Sequence, residues 1–190
     1  KFYDRDADVV YPPVDTDFYT PAPTTNRSYD LIVSALVPYK RIDLAVKTYN
    51  RLGYPLKIVG AGTEALSLRA AAAKNIEFLG WRPDEDVRDL YRQCRLLVFP
   101  GEEDFGIVPL EAQSCGKPVV ALAQGGVLET VIPGKTGVLF PHADEESLAG
   151  AVEECSGKKW DAELIRQNAL RFNPQQFIDG IARCINKLLV

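Results

Sequence analysis

Leu96-Leu97-Val98-Phe99-Pro100-Gly101-Glu102-Glu103-Asp104-Phe105-Gly106-Ile107-Val108-Pro109-Leu110-Glu111 is the stretch that decides the fold. Leu96–Phe99 is an unbroken apolar run, too short for a helix, and reads as a strand buried on both faces. An acidic loop bounded by Gly101 and Gly106 follows. Ile107–Ser114 then has helical character and is closed by Gly116, a residue suited to a helix C-terminus. A buried strand, a glycine-bounded loop and a helix together make the unit of a doubly wound parallel sheet. Ligands of such sheets bind at the carboxyl ends of the strands, near the topological switch point.

The same unit repeats on both sides of this stretch. Upstream, Leu31–Leu36, Leu56–Val59 and Ile76–Leu79 read as strands. They alternate with helical patterns at Ile42–Leu52, at Thr63–Ala73 with Thr63 as N-cap, and at Pro83–Cys94 with Pro in the first turn. Downstream, Pro118–Leu122 and Val138–Phe140 read as strands around a short helix at Val127–Ile132. Three helices close the chain, at Asp144–Cys155, from near Asp161, and from Asn173-Pro174 onward, where Asn caps and Pro takes the first position. Phe177, Ile181, Ile185 and Leu188 fall on one face of the last helix. Val9–Tyr11 reads as a short strand and Thr16–Arg27 as a linker-like loop. The expected fold class is α/β, a Rossmann-like doubly wound parallel sheet in one domain over residues 1–190.

Composition narrows the function. Of 190 residues, 46% are hydrophobic, 25% charged and 9% aromatic, which is globular composition. The net charge of −4, without a long basic run, argues against nucleic acid as a partner. It leaves room for an anionic small ligand, which needs only a few local donors. Cys94, Cys115, Cys155 and Cys184 form no CxxC pair, and His142 is the single histidine. No zinc site is expected, and the cysteines read as reduced, mostly buried and cytoplasmic. No apolar run approaches the length that spans a bilayer. The chain opens Lys1-Phe2-Tyr3 and contains no methionine. It is therefore expected to be a fragment whose natural start lies upstream.

The loop after Phe99 is where chemistry is expected. Gly101 and Gly106 would let backbone approach a ligand, and the helix beginning beyond Gly106 would offer free N–H groups to an anion. Glu103 precedes that helix and Glu111 lies within it, so both can face one crevice. Carboxylates accept bidentately from vicinal hydroxyls. The plainer alternative for Glu102, Glu103 and Asp104 is a solvated acidic loop.

Glu103 and Glu111, seven residues apart around Phe105-Gly106, resemble the E-x7-E signature of retaining GT-B glycosyltransferases of family 4 (group 1). Cys115-Gly116-Lys117-Pro118-Val119-Val120 and Gly125-Gly126-Val127-Leu128-Glu129 match the continuation of that motif. Tyr11-Pro12-Pro13-Val14-Asp15 resembles the family's lead into its C-terminal half. Ser34-Ala35-Leu36-Val37-Pro38-Tyr39-Lys40-Arg41 resembles its phosphate-binding turn. The resemblance covers nearly the whole chain in order. It implies the C-terminal, donor-binding half of a GT-B fold, with the N-terminal acceptor half absent.

The resemblance also implies roles. Lys40 would neutralise the diphosphate leaving group and Glu103 would hold hydroxyls of the donor sugar, which makes these two the catalytic candidates. Glu111 would hold the ribose. Backbone N–H groups of Phe105, Gly106 and Ile107 would face sugar and phosphates. Gly62, with neighbours from Gly60 and around Phe78–Gly80, would shape the base slot. Gly125, Gly126 and Glu129 would close the sugar or phosphate side. The sequence departs from the family at Ser34-Ala35, where a Gly-Arg pair is usual. Arg41 is the candidate replacement for the missing arginine; a surface pair at a helix start is the other reading of Lys40-Arg41. Glu103 and Glu111 would grip two sugars of one donor rather than act as an acid–base pair across one bond.

Gly60-Ala61-Gly62-Thr63-Glu64-Ala65 satisfies the dinucleotide fingerprint G-x-G-x-x-A. That motif wants an acid at the tip of the next strand, about 20 residues on. Here the strand ends Phe78-Leu79-Gly80, so turn geometry is the preferred reading. Trp81 has two readings, stacking on a base or packing against the next helix. His142 reads as a surface loop residue, and Cys115 as helix packing.

The reading is thus a retaining hexosyltransferase. Its donor domain would bind a GDP- or UDP-hexose, plausibly mannose or glucose, for transfer to a glycan or lipid-linked acceptor held by the missing half. No cofactor or metal is expected. The alternatives are a non-catalytic sugar-nucleotide-binding module and another GT-B enzyme, such as an epimerase. The resemblance suggests polysaccharide biosynthesis in the cytoplasm, with any peripheral membrane attachment carried by the missing half. The isolated chain is expected to be nearly inactive.

Overall fold

The computed structural model describes residues 7–23 and 28–189. Six strands form one parallel sheet: β1 Asp30–Val33, β2 Leu56–Val59, β3 Ile76–Gly80, β4 Leu97–Phe99, β5 Val119–Leu122 and β6 Gly137–Phe140. Their order is β3-β2-β1-β4-β5-β6, and each neighbouring pair runs parallel. The chain winds outward from β1 to β3, then returns to place β4 on the other side of β1. The switch point therefore lies between β1 and β4, and the loops after these two strands flank a crevice.

The helices are α1 Ile42–Leu52, α2 Ala65–Ala71, α3 Asp84–Gln93, α4 Ile107–Ser114, α5 Val127–Thr130, α6 Glu145–Gly157, α7 Ala162–Leu170 and α8 Pro174–Leu188. Alternate strand residues enter opposite cores. Ile32, Val98, Val120 and Leu122 pack with α1 and α6, while Leu31, Leu97, Phe99, Val119 and Ala121 pack with α3 and α4. This two-sided burial is why the strands read as continuous apolar runs instead of alternating ones.

Several boundaries differ from expectation. β1 stops at Val33, because Ser34 and Leu36 leave the ladder while still bonding Val59 and Ala61 carbonyls. α2 begins at Ala65 with Glu64 in the cap position, and Thr63 does not cap it. Pro83 is the N-cap of α3 and not a first-turn residue. Val9–Tyr11 forms no strand. The Asn173 cap forms as read, and Asp144 and Asp161 cap the two helices before it; each accepts from backbone N–H groups of the first turn.

The described part of the linker-like Thr16–Arg27 stretch is folded into the domain; residues 24–27 lie outside the described residues. Tyr19 is buried in the α3–α4 core. Arg166 donates to the carbonyls of Thr16, Tyr19 and Ser114 at 2.7–3.0 Å, and Arg92 donates to the Thr20 carbonyl at 2.8 Å. Two arginines on helices thus satisfy a backbone that has no ladder of its own.

At the opposite end of the sheet from the crevice, fully buried Asp30 is held bidentately by Arg95 at 2.7 and 2.9 Å and accepts from the Tyr49 hydroxyl at 2.7 Å. Three of the four cysteines are buried, and burial pushes the thiols of Cys94, Cys115 and Cys155 up to about 12. They are therefore inert packing groups, as read for Cys115.

Candidate functional site: two joined cavities at the switch point

The loops after β1 and β4 meet because Gly101 has no side chain. A Cβ there would stand 2.7 Å from the Lys40 Cα and from the Tyr39 carbonyl oxygen. The sequence reading gave Gly101 to ligand approach; the structure gives it to the approach of another turn. That turn, Pro38–Lys40, is a single 3-10 turn ending at Arg41, whose φ of 53° makes it the one non-glycine residue with positive φ among the described residues. Its closure delivers Lys40 to the β4 loop, where its ammonium forms an ion pair with Glu103. Both side chains are largely shielded, at 15% and 25% exposure. Partial burial holds Lys40 below the ordinary lysine range.

Beyond Glu103, Gly106 turns the chain into α4 with a φ of 81°. The first N–H groups of α4 have no helical partner. A cavity of about 360 Å3 is lined here by Pro12, Lys40, Phe99, Glu103, Phe105, Gly106, Ile107 and Val108, among others. Three of the predicted site residues besides Lys40 and Glu103 thus come together: Phe105, Gly106 and Ile107.

A second cavity, of about 440 Å3, meets the first at Val108. Its walls include Ser34 and Ala35 from the β1 loop, Gly60 and Ala61 from the β2 loop, Trp81, Arg82 and Asp84 beyond β3, and Glu111 from α4. Glu111 accepts a 2.8 Å hydrogen bond from the hydroxyl of Tyr91, which is fully buried. Burial raises the Glu111 carboxyl above its ordinary value, with the nearby charge of Asp84 adding to the rise and the Tyr91 bond opposing it.

Gly62, Gly125, Gly126 and Glu129 line neither cavity. Gly60 and Gly62 serve packing: a Cβ on Gly60, whose φ is 133°, would meet the Ser34 carbonyl oxygen at 1.8 Å, and one on Gly62 would meet that of Leu36 at 2.2 Å. The fingerprint-like glycines therefore let the β2 loop lie on the β1 loop. Gly125 and Gly126 act likewise on the Glu103–Phe105 backbone, and the Gly126 N–H donates to the Glu103 carbonyl at 2.8 Å. Glu129 accepts a hydrogen bond from the Tyr11 hydroxyl, and Tyr11 stacks on Phe105 at 5.5 Å. Arg41 pairs with Asp43 at 3.2 Å and lines neither cavity.

Trp81 is 75% exposed, so packing against a helix is not its role. Phe78, Leu79 and Gly80, expected at a base slot, line neither cavity, whereas Trp81, Arg82 and Asp84 line the larger one. Tyr91, Arg82 and Asp84 were not singled out from sequence; the helical spacing that carries Tyr91 into the core was legible, its partner on another helix was not. His142 is exposed, as read. Among the described residues, no three His, Cys, Asp or Glu side chains stand together so as to hold a metal ion, and no helix is long and apolar enough to cross a membrane.

The sequence model described as "Glycosyl transferases group 1" matches residues 17–171. The chain belongs to that family. Among curated members, it is 33% identical over 174 residues to the D-inositol 3-phosphate glycosyltransferase of Acidothermus cellulolyticus, covering 80% of this chain and 39% of that protein. It is 29% identical over 170 residues to an uncharacterized glycosyltransferase of Methanocaldococcus jannaschii, covering 85% and 48%. Among solved structures, HepE of Anabaena in complex with UDP and glucose has a TM-score of 0.78 at 25% identity, covering 93% of this chain and 56% of that one. The apo lipopolysaccharide outer core galactosyltransferase WaaB has a TM-score of 0.81 at 21% identity, covering 94% and 55%, and shares the fold. This group 1 chain thus spans about half the length of the proteins it matches.

Proposed function

We propose that this chain is the donor half of a retaining GT-B glycosyltransferase of family 4, and that its two joined cavities bind a nucleoside diphosphate hexose. The observation that carries the reading is the grouping of Lys40, Glu103 and the start of α4 in one cavity with Glu111 in a second that shares Val108 with it. One cation and a row of unpartnered N–H groups suit a diphosphate. One carboxylate on either side suits the hydroxyls of a sugar and of a ribose. HepE, with UDP and glucose bound, supports the same class of ligand.

In this reading the bond from the anomeric carbon to the diphosphate breaks as charge builds on the departing oxygens. Lys40 and the α4 N–H groups face that charge and stabilise it without a metal ion. Donor entry separates Lys40 from Glu103: the ammonium turns to the phosphates and the carboxylate to the hexose. Glu111 anchors the ribose and so fixes the distance from base to reacting carbon. The hexose, plausibly mannose or glucose, goes to a glycan or lipid-linked acceptor held by an N-terminal half. The exposed Ile178, Ile181 and Ile185 on α8 offer an apolar face for that half. The isolated chain is expected to transfer sugar far more slowly than about 1 per second.

The test is thermal stabilisation by UDP, GDP, ADP, their hexose conjugates and NAD. A ligand at about 100 times its Kd adds about 2.7 kcal/mol, which a melting curve resolves. Stabilisation by a nucleoside diphosphate, removed in Glu111→Ala, supports the reading. Stabilisation by NAD alone would overturn it.

A further inference from the structure

Three residues just past β3 line the far end of the larger cavity. β3 is separated from β1 by β2, so the residues just past its end lie two strand spacings, about 10 Å, from the phosphate turn after β1. That is the reach of a nucleoside. Trp81, Arg82 and Asp84 line the cavity there. Arg82 and Asp84 are both exposed, carry opposite charges, and make no hydrogen bond or ion pair with each other or with any described residue. Neighbouring charges on the same surface do pair: Arg88 and Arg92 both meet Asp89, at 3.4 and 2.9 Å. The charge of Asp84 is nevertheless felt by Glu111, which places it beside the carboxylate assigned to the ribose.

We infer that Trp81–Asp84 selects guanine as the base of the donor, an assignment that rests on the donor-site reading above. An ionised carboxylate only accepts, through two oxygens side by side. Guanine offers two adjacent donors, N1–H and the 2-amino group. Uracil offers one N–H flanked by two carbonyls, so the second carboxylate oxygen would meet an acceptor. Adenine and cytosine each set a ring-nitrogen acceptor beside their amino group, with the same conflict. Arg82 supplies donors next to Asp84, matching guanine O6, which is adjacent to N1–H. The indole of Trp81 stands exposed at the same wall and offers a stacking face, which any base can use. Selection therefore falls to Asp84, with Arg82 as its complement.

Inosine diphosphate isolates the point, because it lacks only the 2-amino group. Calorimetric Kd values for GDP, inosine diphosphate and UDP on the unaltered chain should show GDP about tenfold or more ahead of both others, the size of one lost charge-assisted hydrogen bond. Asp84→Ala, at an exposed site, should weaken GDP most and inosine diphosphate, which keeps N1–H, less, so that the gap between the two closes. Equal binding of GDP and inosine diphosphate by the unaltered chain, tighter binding of UDP, or a gap that survives Asp84→Ala would overturn the assignment and leave the donor site standing. Failure of every nucleoside diphosphate to bind would overturn both.

Discussion

The Tyr91 hydroxyl donates a 2.8 Å hydrogen bond to Glu111 Oε2, joining α3 to α4 beneath the larger cavity. Burial raises the Glu111 carboxyl and this bond partly offsets the rise. A carboxyl raised on folding holds its proton more tightly folded than unfolded. Its contribution to stability therefore declines as pH climbs from the ordinary carboxylate pKa to the folded one. Nucleotide binding has the opposite sense, since only the ionised form accepts from both ribose hydroxyls. Affinity for a nucleoside diphosphate should thus rise with pH through a midpoint above the ordinary carboxylate range. Tyr91→Phe should move that midpoint further up, read by calorimetry across a pH series. An unmoved midpoint would separate Glu111 from binding.

Lys40 and Glu103 should part company in their variants. Lys40→Met is expected to weaken nucleoside diphosphate binding about tenfold or more, by loss of a charged hydrogen bond. Glu103→Gln should leave the diphosphate's affinity within a few-fold, because it frees the ammonium, yet remove the added affinity of the hexose conjugate. Since burial lowers Lys40, the unaltered chain should lose diphosphate affinity on the alkaline side before free lysine titrates. Competition between each diphosphate and its hexose conjugate measures all three effects.

How much of this site the sequence discloses depends on whether a residue acts through its neighbours in the chain or across it. Glu103, Phe105-Gly106 and Glu111 share one strand-loop-helix unit, so their common crevice was legible from spacing. Ile42–Leu52, Leu56–Val59 and Ile107–Ser114 form as read because an apolar run or a helical period fixes each locally. Arg82, Asp84 and Tyr91 meet Glu111's cavity only after β3 and α3 are laid beside α4, and no local pattern announces that. Gly125 and Gly126 have a packing part that the motif does not announce. Their recurrence in the motif suggested ligand contact, whereas their missing side chains admit the Glu103–Phe105 backbone. Thr16, Tyr19 and Thr20 read as linker because their anchors, Arg166 for the first two and Arg92 for the third, lie far along the chain.

That backbone contact gives a stability prediction. A Cβ on Gly126 would lie 2.3 Å from the Phe105 Cα. Gly126→Ala should cost about 2 kcal/mol or more, as overpacking against a backbone that cannot yield does, and should weaken hexose-conjugate binding with it. Gly53→Ala, where a Cβ meets nothing within 4 Å but φ is 71°, should cost only about 1 kcal/mol from the left-handed backbone. Denaturant midpoints of the two variants check the order.

Asn168 tests the scaffold beneath the loop. Its side-chain amide donates to Gln113 Oε1 at 2.7 Å and to the Thr130 carbonyl at 2.8 Å, and its oxygen accepts from Arg171 at 2.9 Å. Asn168→Ala leaves the buried Gln113 oxygen without its donor and should cost about 1–3 kcal/mol in urea unfolding. Because α4 and α5 are then tied less firmly, diphosphate affinity should fall less than stability does.

The central claim is one of location, and a ligand footprint tests it most directly. Amide hydrogen exchange of the 190-residue chain, with and without a saturating nucleoside diphosphate hexose, should show protection gathered at residues 33–40, 59–62, 81–84 and 103–111. Protection confined to β6, α6 or α8, or no change at a concentration that stabilises the fold, would contradict the account.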